Sequence, residues 1–153
     1  MDYALLKTLH IISATIIFGT GLGTAFSLWS ANCTHNTQVI ASVTKQVVLA
    51  DWLFTTPTVI FQPLSGAWLA HVAGYPLNGW VGLSVVLYGI AGACWLPVVW
   101  LQLRMRDMAQ ASVMTCQALP QRYWRYARIW FWLGVPAFSA IVAVFFLMVF
   151  KHV

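Results

Sequence analysis

Charge is what this chain has least of. Only 7% of its 153 residues are Asp, Glu, Lys or Arg, against roughly a quarter in a soluble globular domain, so a water-facing surface of ordinary size is excluded. Recognisable catalytic signatures are missing as well. The sequence has no Gly-rich phosphate loop, no HExxH, no CxxC pair and no Ser-His-Asp set, which leaves nucleotide and hydrolytic chemistry without visible machinery. The three cysteines, Cys33, Cys94 and Cys116, lack metal-type spacing, and their odd number argues against a disulfide framework. They read as reduced bystanders. Internal repeats and low-complexity tracts are absent too.

What fills the chain is apolar: 61% of residues are hydrophobic and the mean hydropathy is +0.78. Four stretches, 4–29, 53–75, 80–103 and 128–150, are long enough to cross a hydrocarbon core of about 30 Å, which needs about 20 helical residues. The predicted architecture is an all-α polytopic membrane protein, a single domain over 1–153 built as one four-transmembrane-helix bundle. The first stretch competes with a cleavable signal peptide. Its apolar core exceeds the usual length of about 7–15 residues and Ser30-Ala31-Asn32-Cys33 is a poor cleavage site, so it reads as the first helix.

The formal net charge of +5 matters through its placement. Lys45, Arg104, Arg106, Arg122, Arg125 and Arg128 fall around the loops after the first and third spans, whereas Lys7 and Lys151 lie toward the other face. The positive-inside rule then puts those loops in the cytoplasm and both termini on the periplasmic side of a bacterial inner membrane. Arg and aromatic residues interleave from Gln121 to Trp130. Directly before a span this pattern reads as an interfacial belt on anionic lipid headgroups, and no nucleic-acid partner is expected.

Along the first span, His10, Ala14, Ile17, Gly21 and Thr24 share one face. Gly19 and Gly23 form a small-xxx-small pair suited to helix packing, and such faces permit a homo-oligomer or a membrane-protein partner without specifying its number. Val39 to Leu53 has helical spacing, so the second helix is expected to begin in the cytoplasm and enter the bilayer near Asp51-Trp52. Asp51 is either a proton-handling group or, as an interfacial carboxylate beside basic loops, a solvated one; the solvated form is the expectation. Pro57 and Pro63 each remove a backbone donor, and Thr55, Thr56, Gln62 and Ser65 are placed to serve the freed carbonyls. Gly74 to Gly79 predicts a tight turn making the second and third helices antiparallel neighbours. The third span has no acid or base in its core, and 107–120 is expected to be amphipathic or irregular. Pro136 marks a kink in the fourth span.

The histidines carry the functional expectation. His10 lies about 9 Å inside the first span and His71 about 5–6 Å from the end of the second, so their depths match. An imidazole at membrane depth is by default a functional candidate, and in its neutral form it offers one lone pair to a metal. As a pair, His10 and His71 would be metal ligands holding a haem. The alternative has His10 bonded to a neighbouring helix and His71 facing interfacial water. Helices packed 8–10 Å apart leave no room for a ring between them, so a haem would need splayed helices or a subunit interface. His35 and His152 are expected to be exposed.

Leu6-Lys7-Thr8-Leu9-His10-Ile11-Ile12 resembles the first-helix signature of the HemJ-type protoporphyrinogen IX oxidases. Phe18 to Phe26, Pro57 to Gly66, and Val135-Pro136-Ala137 through Lys151 resemble the family's later stretches, which fall in the first, second and fourth spans. The resemblance implies a haem b-binding protein with a redox role, His10 and His71 as ligands and Lys7 beside the porphyrin propionates. Two departures stand out: the family's lysine near the start of the third helix falls on Ser84, and its Asn-Glu before the last proline falls on Leu133-Gly134. Ala50-Asp51-Trp52-Leu53-Phe54-Thr55-Thr56-Pro57 and Cys94-Trp95-Leu96-Pro97-Val98-Val99-Trp100-Leu101 resemble more closely an uncharacterised family of predicted integral membrane proteins. A non-enzymatic partner subunit or small permease without haem is the alternative. The permease form is disfavoured by the scarcity of polar residues at mid-depth.

Overall fold

In hydrocarbon a chain must close its backbone hydrogen bonds within itself, and long apolar runs do so as helices. The structure, a computed structural model, describes residues 2–76 and 78–150. The order is α1 (Tyr3–Cys33), α2 (Thr37–Ala50), a π-helical turn (Asp51–Thr55), α3 (Thr56–Val72), α4 (Trp80–Met114) and α5 (Gln121–Phe150), with no strand among the described residues. α2, the π-turn and α3 run on as one rod, Thr37–Val72, which gives four rods long and apolar enough to cross a membrane. The protein is an all-α, membrane-embedded four-helix bundle. Lys151 and His152 lie outside the described residues.

Local chemistry sets the ends. Asp2 caps α1 by accepting from the Ala4 N–H at 3.1 Å. Asn36 Oδ1 accepts from the N–H groups of Gln38 and Val39 at 2.9 and 3.3 Å, starting α2 directly after the turn. That turn passes through His35 in the left-handed region at φ 52°; His35 is exposed, as expected, and stacks on Trp124 at 5.2 Å. Of the two forms open for 107–120, the amphipathic one holds to Met114. Met105, Ala109 and Ser112 are buried at helical spacing, so α4 extends well past its apolar stretch.

The bundle is unevenly packed. At the arginine-rich end Leu28, Ile40, Met105, Ala109 and Tyr123 form a continuous core, tied by Tyr123 Oη donating to Asn32 Oδ1 at 2.7 Å and Gln110 Nε2 donating to the Ala41 carbonyl at 3.0 Å. Toward the termini the bundle forks. α3 packs on α1 and α4 packs on α5, but α3 and α4 barely approach each other. The tight turn after α3 therefore does not make it a packed neighbour of α4, contrary to expectation. The physical reason lies in the rod itself: a π-turn widens the helix at Asp51–Thr55, and Pro57 and Pro63 follow within two turns, a combination that redirects a helix axis.

The repair of the proline sites also differs from expectation. Pro63 leaves the Val59 carbonyl without its helical donor, and Tyr88 on α4 supplies one across the fork at 2.7 Å. Thr56 Oγ1 donates to the Asp51 carbonyl at 2.9 Å, whereas Gln62 and Ser65 reach for His10. Gly19 and Gly23 are exposed with nothing within 4 Å of an added Cβ. They pack against nothing inside this chain. Tyr88→Phe should lower the free energy of unfolding by about 1–3 kcal/mol, the usual cost of a half-buried carbonyl left unpaired; denaturant titration in mixed micelles measures it.

Candidate functional site

α3 turns its polar side inward. The buried residues of the π-turn and α3 are Asp51, Thr55, Gln62, Ser65 and Ala70, while Trp52, Leu53, Phe54, Ile60, Leu64 and Trp68 face outward. Polar groups buried at membrane depth are costly and mark functional positions. They fall into two clusters.

The outer cluster is built on His10. Its Nδ1 lies 2.7 Å from Ser65 Oγ and its Nε2 lies 3.1 Å from Gln62 Nε2. The Ser65 hydroxyl is itself a donor to the Phe61 carbonyl at 2.8 Å, so Ser65 Oγ accepts from His10 and the ring proton belongs on Nδ1. Nε2 then accepts from the Gln62 amide. Gly66 makes this possible, because a Cβ there would stand 3.2 Å from the ring's Cε1. Gly66→Ala should therefore displace the ring and cost about 1 kcal/mol of stability through a strained hydrogen bond. The His10 nitrogen resonances should shift with it, and a spectrum identical to wild type would refute the tight fit.

His71 and Lys7 are both exposed, and neither is a partner of His10. His71 stands six residues beyond Ser65, about 9 Å along α3 and roughly 120° around it, so the two imidazoles do not converge. The group to be fitted is an iron porphyrin gripped by both rings. As arranged, the residues present do not fit it: the two His10 nitrogens are engaged by α3 and the ring is pressed against Gly66. The fork does provide splayed helices, but His10 is buried within the α1–α3 arm rather than facing the gap.

The inner cluster is the one sequence reasoning underrated. Asp51, expected to be solvated, is only 6% exposed. Thr55 Oγ1 donates to its Oδ1 at 2.9 Å, and the Gln102 side chain from α4 stands beside it. Asp51, Thr55, Gln102 and Trp130 line the floor of a cavity of about 380 Å³ that occupies the fork, with Val59, Tyr88, Trp95, Phe18 and Phe138 among its walls. Gly21, Gly92 and Gly134, from three different helices, border the same space and have nothing within 4 Å of an added Cβ. The α1–α5 seam beside it is thin, bridged by Phe18 against Phe138 and Phe145 at 4.8 and 5.5 Å.

Among the described residues, the buried side-chain polar atoms without a partner are Ser13 Oγ, Gln62 Oε1, Asp51 Oδ2, Gln102 Oε1 and Trp130 Nε1. Gln62 belongs to the outer cluster and the last three to the cavity floor. Such groups are rare because each costs about 1–3 kcal/mol, and their concentration around one space marks where a ligand or water belongs. One signal for this site was available in the sequence, the 51/55/62/65 spacing that places four polar residues on one helical side.

A forked helical membrane bundle with a half-open, largely apolar cavity is the class this geometry defines. The chain belongs to the DUF2269 family of predicted integral membrane proteins, whose profile matches residues 4–152. Searches of curated proteins and of solved structures give no match.

Proposed function

We propose that the protein binds a lipid-soluble small molecule in the fork, with its one polar group seated on Asp51, Gln102 and Trp130. The observation that carries this reading is that three residues each holding a buried polar atom without a partner, Asp51, Gln102 and Trp130, line one otherwise apolar space. Trp130 Nε1 is a donor and Gln102 Oε1 an acceptor, so the ligand's polar group needs both an acceptor and a donor, as a neutral hydroxyl- or amide-bearing headgroup has. Aromatic walls and glycine openings suit a flat apolar body. Entry is lateral, from the bilayer through the thin α1–α5 seam. This is a form of the partner-subunit or small-permease alternative, and Asp51, Thr55, Gln62, Ser65 and Gln102 are buried polar residues of the kind whose scarcity counted against the permease form. The setting is a bacterial inner membrane with both termini periplasmic, supported by the crowding of Lys45 and the arginines at the opposite end.

Purification in mild detergent followed by organic extraction and mass spectrometry tests this. Wild type should retain a defined lipophilic species. Gly92→Leu, which fills open space, should lose it while keeping native helicity. A Trp130→Phe protein should bind the recovered species about tenfold more weakly, the equivalent of one hydrogen bond. Equal retention by wild type and Gly92→Leu would refute the site.

The second reading is the haem b protein of HemJ-like type with a redox role. It requires Gln62 to swing away from His10 Nε2, and the unpartnered Gln62 Oε1, an amide secured at one end only, is the observation in its favour. On this reading purified protein from haem-replete cells shows a Soret band that His10→Ala abolishes. A colourless protein, or a band indifferent to His10, eliminates it.

A further inference from the structure

At one end of the bundle the positive charge is left without a counter-charge. Of the three acidic residues, Asp2 caps α1 at the opposite end, Asp51 is buried, and Asp107 is paired with Arg106 at 2.7 Å. Among the described residues Arg104, Arg122, Arg125 and Arg128 have no carboxylate partner. Like charges gathered in this way repel one another, and an anion relieves the repulsion.

The first two turns of α5 carry most of these cations around an open concavity of about 750 Å³ lined by Gln121, Arg122, Trp124, Arg125, Tyr126 and Arg128. Aromatic rings bound it on both sides. On one side Trp124 stacks on His35 of the α1–α2 turn at 5.2 Å. On the other Tyr126 meets Trp100 of α4 at 5.7 Å, with the Arg104 guanidinium over Trp100 at 5.5 Å and that of Arg122 over Tyr126 at 5.1 Å. Arg122 Nε also donates to the Tyr126 hydroxyl at 2.8 Å. The guanidinium is thereby held in one direction with both Nη groups unengaged, a fork that matches two oxygens of a phosphate. Arg125 stands three residues from both Arg122 and Arg128, so the three are successive neighbours on the helix surface. The positive end of the α5 dipole lies at the same place.

Helical spacing puts Gln121, Arg125, Arg128 and Trp132 on one outward stripe. Trp132 is 66% exposed and stands about 6 Å deeper along the axis than Arg128. The headgroup layer of one leaflet is about 5–8 Å thick, so an anion seated on Arg125 and Arg128 meets the start of the apolar surface at Trp132. A soluble anion makes no use of that continuation; a phospholipid does.

We infer that this end of α5 is a binding site for one anionic phospholipid, its phosphate held by Arg122, Arg125 and Arg128 between the two aromatic walls and its acyl chains laid along the outward stripe from Trp132. A belt on headgroups needs only charge near the interface; a site needs ordered donors, and the hold of Tyr126 on Arg122 orders one. The site is independent of what the fork holds, because the two spaces share no lining residue.

Native mass spectrometry tests it on the full-length protein, delipidated in neutral detergent and titrated with phosphatidylglycerol or with phosphatidylcholine of the same acyl chains. Wild type should bind one phosphatidylglycerol per chain at least about tenfold more tightly than phosphatidylcholine. Arg125→Gln should weaken that binding about fivefold, the share of one interfacial cation. Tyr126→Phe, which removes no charge, should weaken it several-fold by releasing Arg122. Lys45→Gln, an equal loss of charge at an exposed position on α2, should leave it unchanged, and millimolar sodium phosphate should not displace the lipid. Equal affinity for the two lipids, equal losses in Arg125→Gln and Lys45→Gln, no loss in Tyr126→Phe, or displacement by inorganic phosphate overturns the inference. The wild-type comparison of the two lipids decides it if a variant does not fold.

Discussion

The rest of this structure depends on one constraint: α3 buries its polar side and gives its apolar side to lipid. In water such an orientation would be ruinous; in a bilayer it is the arrangement that keeps polar atoms out of hydrocarbon. It then imposes demands on every neighbour. α1 answers with His10, received by Ser65 and Gln62; α4 answers with Tyr88 and Gln102; α5 answers with Trp130. Where α3 meets both ring nitrogens of its neighbour the helices close, as at His10. Where the answers are incomplete, around Asp51, a cavity remains.

The fork follows from the same rod. A π-turn and two prolines within thirteen residues, Asp51 to Pro63, turn the outer half of the second rod toward α1 and away from α4. The bundle thus has a dense half and an open half. The dense half consists largely of helix that extends beyond the apolar stretches, so it can pack as a soluble core does, by burying Tyr123, Met105 and Ile40 against one another. The open half lies in lipid, where there is no hydrophobic incentive to close and packing relies on shape and hydrogen bonds.

Much of the fold was legible in the sequence. Lengths of apolar runs gave the four spans, and the polar start of the second rod was visible in its helical spacing. The inward face of α1 was readable too: His10 is buried, and Ala14, Ile17, Gly21 and Thr24 are half-buried. The site was less legible. His10 stood out because an isolated imidazole in an apolar run is conspicuous, whereas Asp51 was masked by its position at the entry of a span, on the side of the basic loops. Gln102, which stands beside it, is 51 positions away on another helix, and no local pattern announces such a meeting. The partner of the Val59 carbonyl was equally hidden, since Tyr88 belongs to another helix. The glycines divide: Gly19 and Gly23, which match a packing motif, face outward from this chain, while Gly21, Gly92 and Gly134 form no motif and border the cavity.

The Tyr88 hydroxyl spans the fork to the one carbonyl that Pro63 releases. A proline and a tyrosine 25 positions apart therefore act as a latch whose keeper exists only because the backbone ladder is broken there. Such a latch fixes the separation of the two arms at one point, and it does so with a backbone group that an unbroken helix would have kept for itself.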